Sequence, residues 1–194
     1  MANICENTIK FIGKKEDIER VKDFILIDNT FDFNKIIPLS NVEDVNEQYS
    51  KWGCKWGAEQ LLLTENKIED NIELYISYDT PWTPAESIIE RIIIEFSNND
   101  NLLIEGSYYE PGVGFVGEFK YKGGRCIHKE HLSHEDFISY WSYLLENDLE
   151  SIDYIEDVYL DVDMEEDFET FKKYYDEGKY RLAAKELKIA YDKY

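Results

Sequence analysis

The chain has 194 residues and a formal net charge of -21, with 42 Asp and Glu against 21 Lys and Arg. That length allows one domain with an extension, or one domain and a small second one. The 15 Tyr, 10 Phe and 4 Trp give enough apolar area to exclude wholesale disorder, and the acidity excludes direct nucleic-acid binding, which needs a basic face to release counterions.

In chain order, Asn3 to Ile12 reads as a strand with Cys5, Ile9 and Phe11 on one face, ended by Gly13. Lys14 to Ile25 reads as a helix, because Ile18, Val21 and Ile25 recur at helical spacing. Phe31 to Glu47 mixes Pro, Asn and Ser without periodicity and reads as irregular. Ala58 to Thr64 and Ile72 to Tyr78 suggest a hairpin, with Glu65-Asn66-Lys67 as turn material.

Thr83-Pro84-Ala85-Glu86 has the form of a capping box with Pro at the first helical position. The helix it opens would turn Ile88, Ile89, Ile92 and Phe96 to the core. Asn101 to Tyr109 and Phe115 to Tyr121 read as antiparallel strands around Glu110-Pro111-Gly112, and Gly123-Gly124 turns the chain into a short strand, Cys126 to His128. The order strand, helix, strand, strand, helix, strand predicts an α+β fold: a ferredoxin-like split βαβ sandwich with extra antiparallel strands.

An acidic helical extension follows, so the expected domains are 1–129 and 130–194. Ser133 reads as a helix cap with Asp136 at the capping-box position, before a stripe of Phe137, Ile138, Trp141, Leu144 and Leu145. A second helix, Asp163 to Tyr175, would bury Met164, Phe168, Phe171 and Tyr175. Gly178 breaks it, and Arg181 to Tyr191 makes a third with Ala183, Leu187 and Ala190 inward. Phe171 to Tyr191 is similar to the turn and second helix of a tetratricopeptide repeat; one copy cannot build a solenoid, so a helical hairpin is the reading.

Several stretches resemble one family. They are Met1 to Ile9, Phe31 to Pro38, Trp52 to Trp56 with Gly53 and Gly57, Asp79 to Pro84, and Tyr108 to Phe119. In this order they resemble the YubB-type ferredoxin-like domain carried by phages, prophages and plasmids, over roughly residues 1 to 128. Ile4 stands where that family usually has an aromatic. The resemblance implies a ferredoxin-like fold and a mobile-element origin, and no known activity.

Between Glu130 and Phe171 lie 15 carboxylates and no Lys or Arg. Such a run is either a solvated face or a surface for a cationic partner. The leading expectation is a non-catalytic acidic module that binds a basic host protein surface. It would inhibit a nucleic-acid-binding defence or regulatory protein by charge mimicry, through Glu156, Asp157, Asp161, Asp163, Glu165, Glu166 and Asp167.

The alternative is a metal- or small-ligand-binding domain, perhaps an enzyme, using Cys126, His128, His131 and His134, which gather zinc-type ligands within nine residues. If Cys126 and His128 share a strand they point the same way, with His131 in a loop and His134 at a helix start. Gly112-Val113-Gly114-Phe115-Val116-Gly117 has the letters of a dinucleotide fingerprint, but a strand follows where a helix is required. Asp161 to Asp167 lacks the sixth-position Gly of a calcium loop, and Lys172 stands where its bidentate Glu belongs. Trp52, Trp56, Trp82, Tyr108 and Tyr109 could line a pocket, and core is the better reading.

No catalytic constellation and no cofactor are expected. No apolar run is long enough to span a membrane, the N-terminus carries no secretory pattern, and three cysteines without framework spacing fit a reducing compartment. The expected location is the cytoplasm of a host cell.

Overall fold

The computed structural model describes residues 3–149, 155 and 165–192. It divides into two compact units, Met1–His131 and Leu132–Tyr194. In the first unit the order is β1 (Ile4–Gly13), α1 (Lys15–Ile25), β2 (Leu26–Ile27), β3 (Thr30–Phe31), α2 (Phe33–Ile36), α3 (Val45–Trp52), β4 (Glu59–Ile68), β5 (Asn71–Pro81), α4 (Glu86–Glu95), β6 (Leu103–Glu110), β7 (Phe115–Lys122) and β8 (Arg125–Ser133). Six of the strands form an antiparallel sheet in the order β4-β5-β1-β6-β7-β8. The first four positions are the split βαβ arrangement: the crossover through α1 leaves a gap between β1 and β4 that β5 fills, and the crossover through α4 passes over β1 to reach β6. β7 and β8 extend it beyond β6. This is a ferredoxin-like fold.

The alternation of β1 decides which face is core. Cys5, Asn7, Ile9 and Phe11 are buried while the intervening residues are not, as a strand covered on one face requires. Leu74, Ile76 and Tyr78 of β5 and Ile104 and Tyr108 of β6 join that face. Against it pack Ile18, Val21 and Ile25 of α1 and Ile88, Ile89, Ile92 and Ile93 of α4. An edge-to-face nest of Phe31, Phe33, Trp52 and Tyr78 closes one end, with centroids 5.0–6.2 Å apart.

Two glycines let aromatic rings fill this layer. Gly106 lies opposite Phe119, and Tyr108 opposite Gly117. A Cβ at Gly106 would come within 2.6 Å of the Phe119 ring, and one at Gly117 within 2.3 Å of the Tyr108 ring. The bare backbone is needed for close approach. On the opposite face the same strands carry Thr8, Lys10, Glu105, Ser107, Glu118 and Lys120.

Several local readings need correction. The stretch read as irregular contains α2 and the start of α3, Val45 to Glu47; Asp44 caps α3 by accepting from the amides of Asn46 and Glu47, and Gly53 ends it at φ 84°. The β4–β5 hairpin turns at Glu69 and Asp70, with β4 running through the expected turn at Glu65 to Lys67 and its register shifting between Gln60 and Leu62. The helix expected from Thr83 begins at Glu86, because the Thr83 hydroxyl donates to the Gly53 carbonyl and buried Ala85 takes the cap position at φ 53°. β8 is three times the expected length and includes His131.

In the second unit, α5 (Phe137–Glu146) is capped by Asp136, whose carboxylate accepts from the Ser139 amide. Ser133 still belongs to β8, so it is not the cap. Two further helices are α6 (Glu165–Asp176) and α7 (Tyr180–Tyr191). Phe168 and Phe171 of α6 and Ala183, Ala184, Leu187 and Ala190 of α7 are buried, and Gly178 at φ 68° makes the break between the helices. Tyr191 packs on Phe137 and Trp141 of α5 at 5.2 and 5.6 Å between centroids.

Candidate functional site

Of the seven carboxylates assigned to partner binding, Glu156, Asp157, Asp161 and Asp163 lie outside the described residues. Glu165, Glu166 and Asp167 open α6. Asp167 and Glu169 are exposed there, while Phe168 and Phe171 of the same helix are buried. The amphipathic pattern therefore places these two carboxylates outward on an ordered element. The segment compared with a calcium loop falls mostly outside the described residues, and Lys172 is an exposed residue of α6.

The Cys/His set belongs to three different environments within the first unit. Cys126 is exposed and bonds with the Tyr121 hydroxyl. His128 Nε2 lies 2.7 Å from Oε1 of Glu118. His131 Nδ1 lies 2.9 Å from the Tyr108 hydroxyl, its ring against Phe115 at 5.6 Å. These partners take the side chains apart. His134 lies in the second unit, in a turn before α5.

Among the described residues a different group converges: Glu118, His128 and Glu130 each offer a ligand atom within 4.8 Å of the others. Glu118 sits on β7 and the other two on β8, which Gly123 and Gly124 join through a turn with φ of 55° and 68°. Of these three, only His128 belongs to the ligand set expected from the sequence, because a lone carboxylate in an acidic chain carries no metal signal by itself. The usable signal was a carboxylate on one strand and His-x-Glu on the next, joined by Gly-Gly.

Beside this group lies a recess of about 300 Å³ on the face away from α1 and α4. It is polar and internally paired. Thr8 and Ser107 hydroxyls are 2.8 Å apart, and Lys10 and Lys120 both reach Glu105, at 3.6 and 3.1 Å. Lys10 and Lys120 thus offset a neighbouring carboxylate on this face.

The glycine-rich stretch forms the β6–β7 turn. Gly114 has φ 81°, and a Cβ at Gly112 would meet the Asn3 amide at 2.3 Å and Glu110 Oε1 at 3.0 Å. Glu110 itself is fully buried and accepts the Val113 amide, while its Oε1 has no hydrogen-bond partner among the described residues. No helix follows to face a pyrophosphate. Of the five candidate pocket aromatics, Trp52 and Tyr108 are core, Trp56 is exposed, and Trp82 and Tyr109 are intermediate. Trp82 has φ 69°, an uncommon conformation for so bulky a residue.

The protein class these features define is a ferredoxin-like α+β domain. A family model described as "Ferredoxin-like domain in Api92-like protein" matches residues 63–142. Among solved structures, the protein Api92 from Yersinia pseudotuberculosis is similar at 18% identity and a TM-score of 0.38; the match covers 53% of this chain and 39% of that one. The chain therefore matches well under half the length of the Yersinia protein. No curated protein matches. Among the described residues no helix is long and apolar enough to cross a membrane.

Proposed function

We propose that the chain is a non-catalytic, acidic protein-binding module of a mobile element, acting in the cytoplasm of the host cell. Its partner is a basic protein surface on a host nucleic-acid-binding protein of defence or regulation, which it inhibits by occupying the Arg and Lys that would contact phosphate. The resemblance to the YubB-type domain of phages, prophages and plasmids supports the origin. The observation that carries the mode of action is the ordering of α6, whose buried Phe168 and Phe171 fix exposed Asp167 and Glu169 outward. Carboxylates on a folded helix pay less ordering entropy on binding than a loose tail would, and a chain at net charge -21 steers a cationic partner toward itself.

The contact set is Glu156, Asp157, Asp161, Asp163, Glu165, Glu166 and Asp167. The test is capture of partners from host extract by the full chain at low and at high salt, beside a variant with these seven residues changed to Gln or Asn. The reading expects a basic nucleic-acid-binding protein, lost at high salt, lost in the variant and displaced by added DNA. Capture that ignores salt, or the recovery of acidic partners alone, overturns it.

A further inference from the structure

We propose that Glu118, His128 and Glu130 form a site for one divalent transition-metal ion of the zinc class, independent of the acidic extension. The His128–Glu118 contact alone would be an ordinary cross-strand pair. What goes beyond it is the third donor: a Glu130 oxygen converges on the same point, within 4.8 Å of the other two ligand atoms. Two carboxylates held this close repel each other, and a divalent cation bound between them would relieve that repulsion.

Strand geometry keeps the donors in place. Glu118 is held by β7, and His128 and Glu130 project two residues apart from β8, so the same face is reached twice. Donors on strands are positioned more tightly than donors on loops. In a tetrahedral zinc site neighbouring donor atoms stand about 3.3 Å apart, from metal–donor bonds of about 2.0–2.2 Å. The present 2.7 Å between His128 Nε2 and Glu118 Oε1 is a proton-sized gap that must widen slightly to admit the ion.

The donor chemistry selects the metal. One imidazole and two carboxylates suit zinc, manganese or iron(II), whereas calcium and magnesium take oxygen ligands alone. Three protein donors leave at least one coordination position open, and Glu118 and His128 both line the neighbouring recess of about 300 Å³. An exogenous small ligand can complete the shell there.

The experiment titrates the full-length, tag-free chain with zinc by calorimetry in a competing chelator. One site per chain is expected, weakened at least tenfold in His128→Ala, Glu118→Gln and Glu130→Gln. Cys126→Ser, and the variant with the seven carboxylates of the extension neutralised, keep the parent affinity. Melting curves of the point variants match the parent, and long-range proton–nitrogen NMR shows zinc moving the Nε2 resonance assigned to His128 by its loss in His128→Ala. Zinc affinity unchanged in His128→Ala and Glu118→Gln overturns the site; so does its loss in Cys126→Ser, or calcium or magnesium binding as tightly as zinc.

Discussion

The hydroxyl of Tyr108 stands 2.9 Å from Nδ1 of His131 while its ring covers the bare backbone of Gly117. One side chain of β6 thereby touches both β7 and β8. A Cβ at Gly117 would meet the Tyr108 ring at 2.3 Å and the Glu130 carbonyl at 2.7 Å, and neither is a loose chain end. Gly117→Ala is expected to cost at least about 1–3 kcal/mol by overpacking. Tyr108→Phe loses one hydrogen bond and costs about 0.5–1.5 kcal/mol. Urea denaturation of the two variants ranks them; a milder effect for Gly117→Ala would refute the packing.

Asn7 is the polar intruder in the core face of β1, 3% exposed. Its amide donates to the Cys5 carbonyl at 2.7 Å and to Thr80 Oγ1 at 2.9 Å, and Thr80 in turn donates to the Thr83 carbonyl at 2.5 Å. Asn7→Ala strips the Cys5 carbonyl of a donor in a site without water access, at about 1–3 kcal/mol. The chain from Asn7 to Thr83 also holds the entry to α4, so amide exchange should quicken at Ser87 and Ile88 before it does in α1. Uniform exchange across both helices would contradict that coupling.

Glu47 ties a loop to the helix that follows it. Its carboxylate accepts from the amides of Ser40 and Asn41 and the Ser40 hydroxyl, and pairs with Lys51 at 2.9 Å. The Ser40 amide, then Lys51, hold its pKa down to about 2 from 4.5. Because the folded value is depressed, the stabilisation is present above the ordinary carboxylate range and fades as pH falls toward about 2. Glu47→Gln should expose the Ser40 and Asn41 amides to exchange at neutral pH and remove the extra acid sensitivity of this loop. Parent-like protection of those two amides in the variant argues against it.

Burial pushes the thiols of Cys5 and Cys54 up to about 12 from 9.0, with Glu110 reinforcing the effect at Cys5 and the Trp56 carbonyl accepting from Cys54. Both folded values are raised, so stability is intact below pH 9 and declines as pH rises toward 12, by roughly 1.4 kcal/mol per pH unit for each thiol. Exposed Cys126 should be the single cysteine labelled by a thiol reagent in the native chain at pH 8. Two further equivalents should appear only on unfolding. Labelling of all three at once in native buffer would show that the core face of β1 opens readily.

The regular parts of the fold were legible because periodicity reports burial. Ile18, Val21 and Ile25, or Cys5, Ile9 and Phe11, sit where spacing placed them. Helix α3 was not, since its buried residues are Gln48 and Trp52 and no apolar stripe runs through it; Asp44 followed by Glu47 was the available signal. Thr83 misled for a different reason. A capping pattern states only local preference, and its hydroxyl is taken by a carbonyl 30 residues away. At the site, His128 was singled out in the sequence, but pairing across a strand joins it to Glu118, and that partnership depends on register.

The sheet has two outer strands, β4 and β8, and each is poorly suited to recruiting another chain. β4 shifts register between Gln60 and Leu62 and carries Glu59, Glu65 and Lys67. β8 interleaves Arg125, Lys129 and Glu130 with its other side chains. Irregularity on one margin and charge on the other discourage edge-to-edge β-pairing, so a sheet rich in aromatic residues is guarded on both margins against recruiting a second copy of itself.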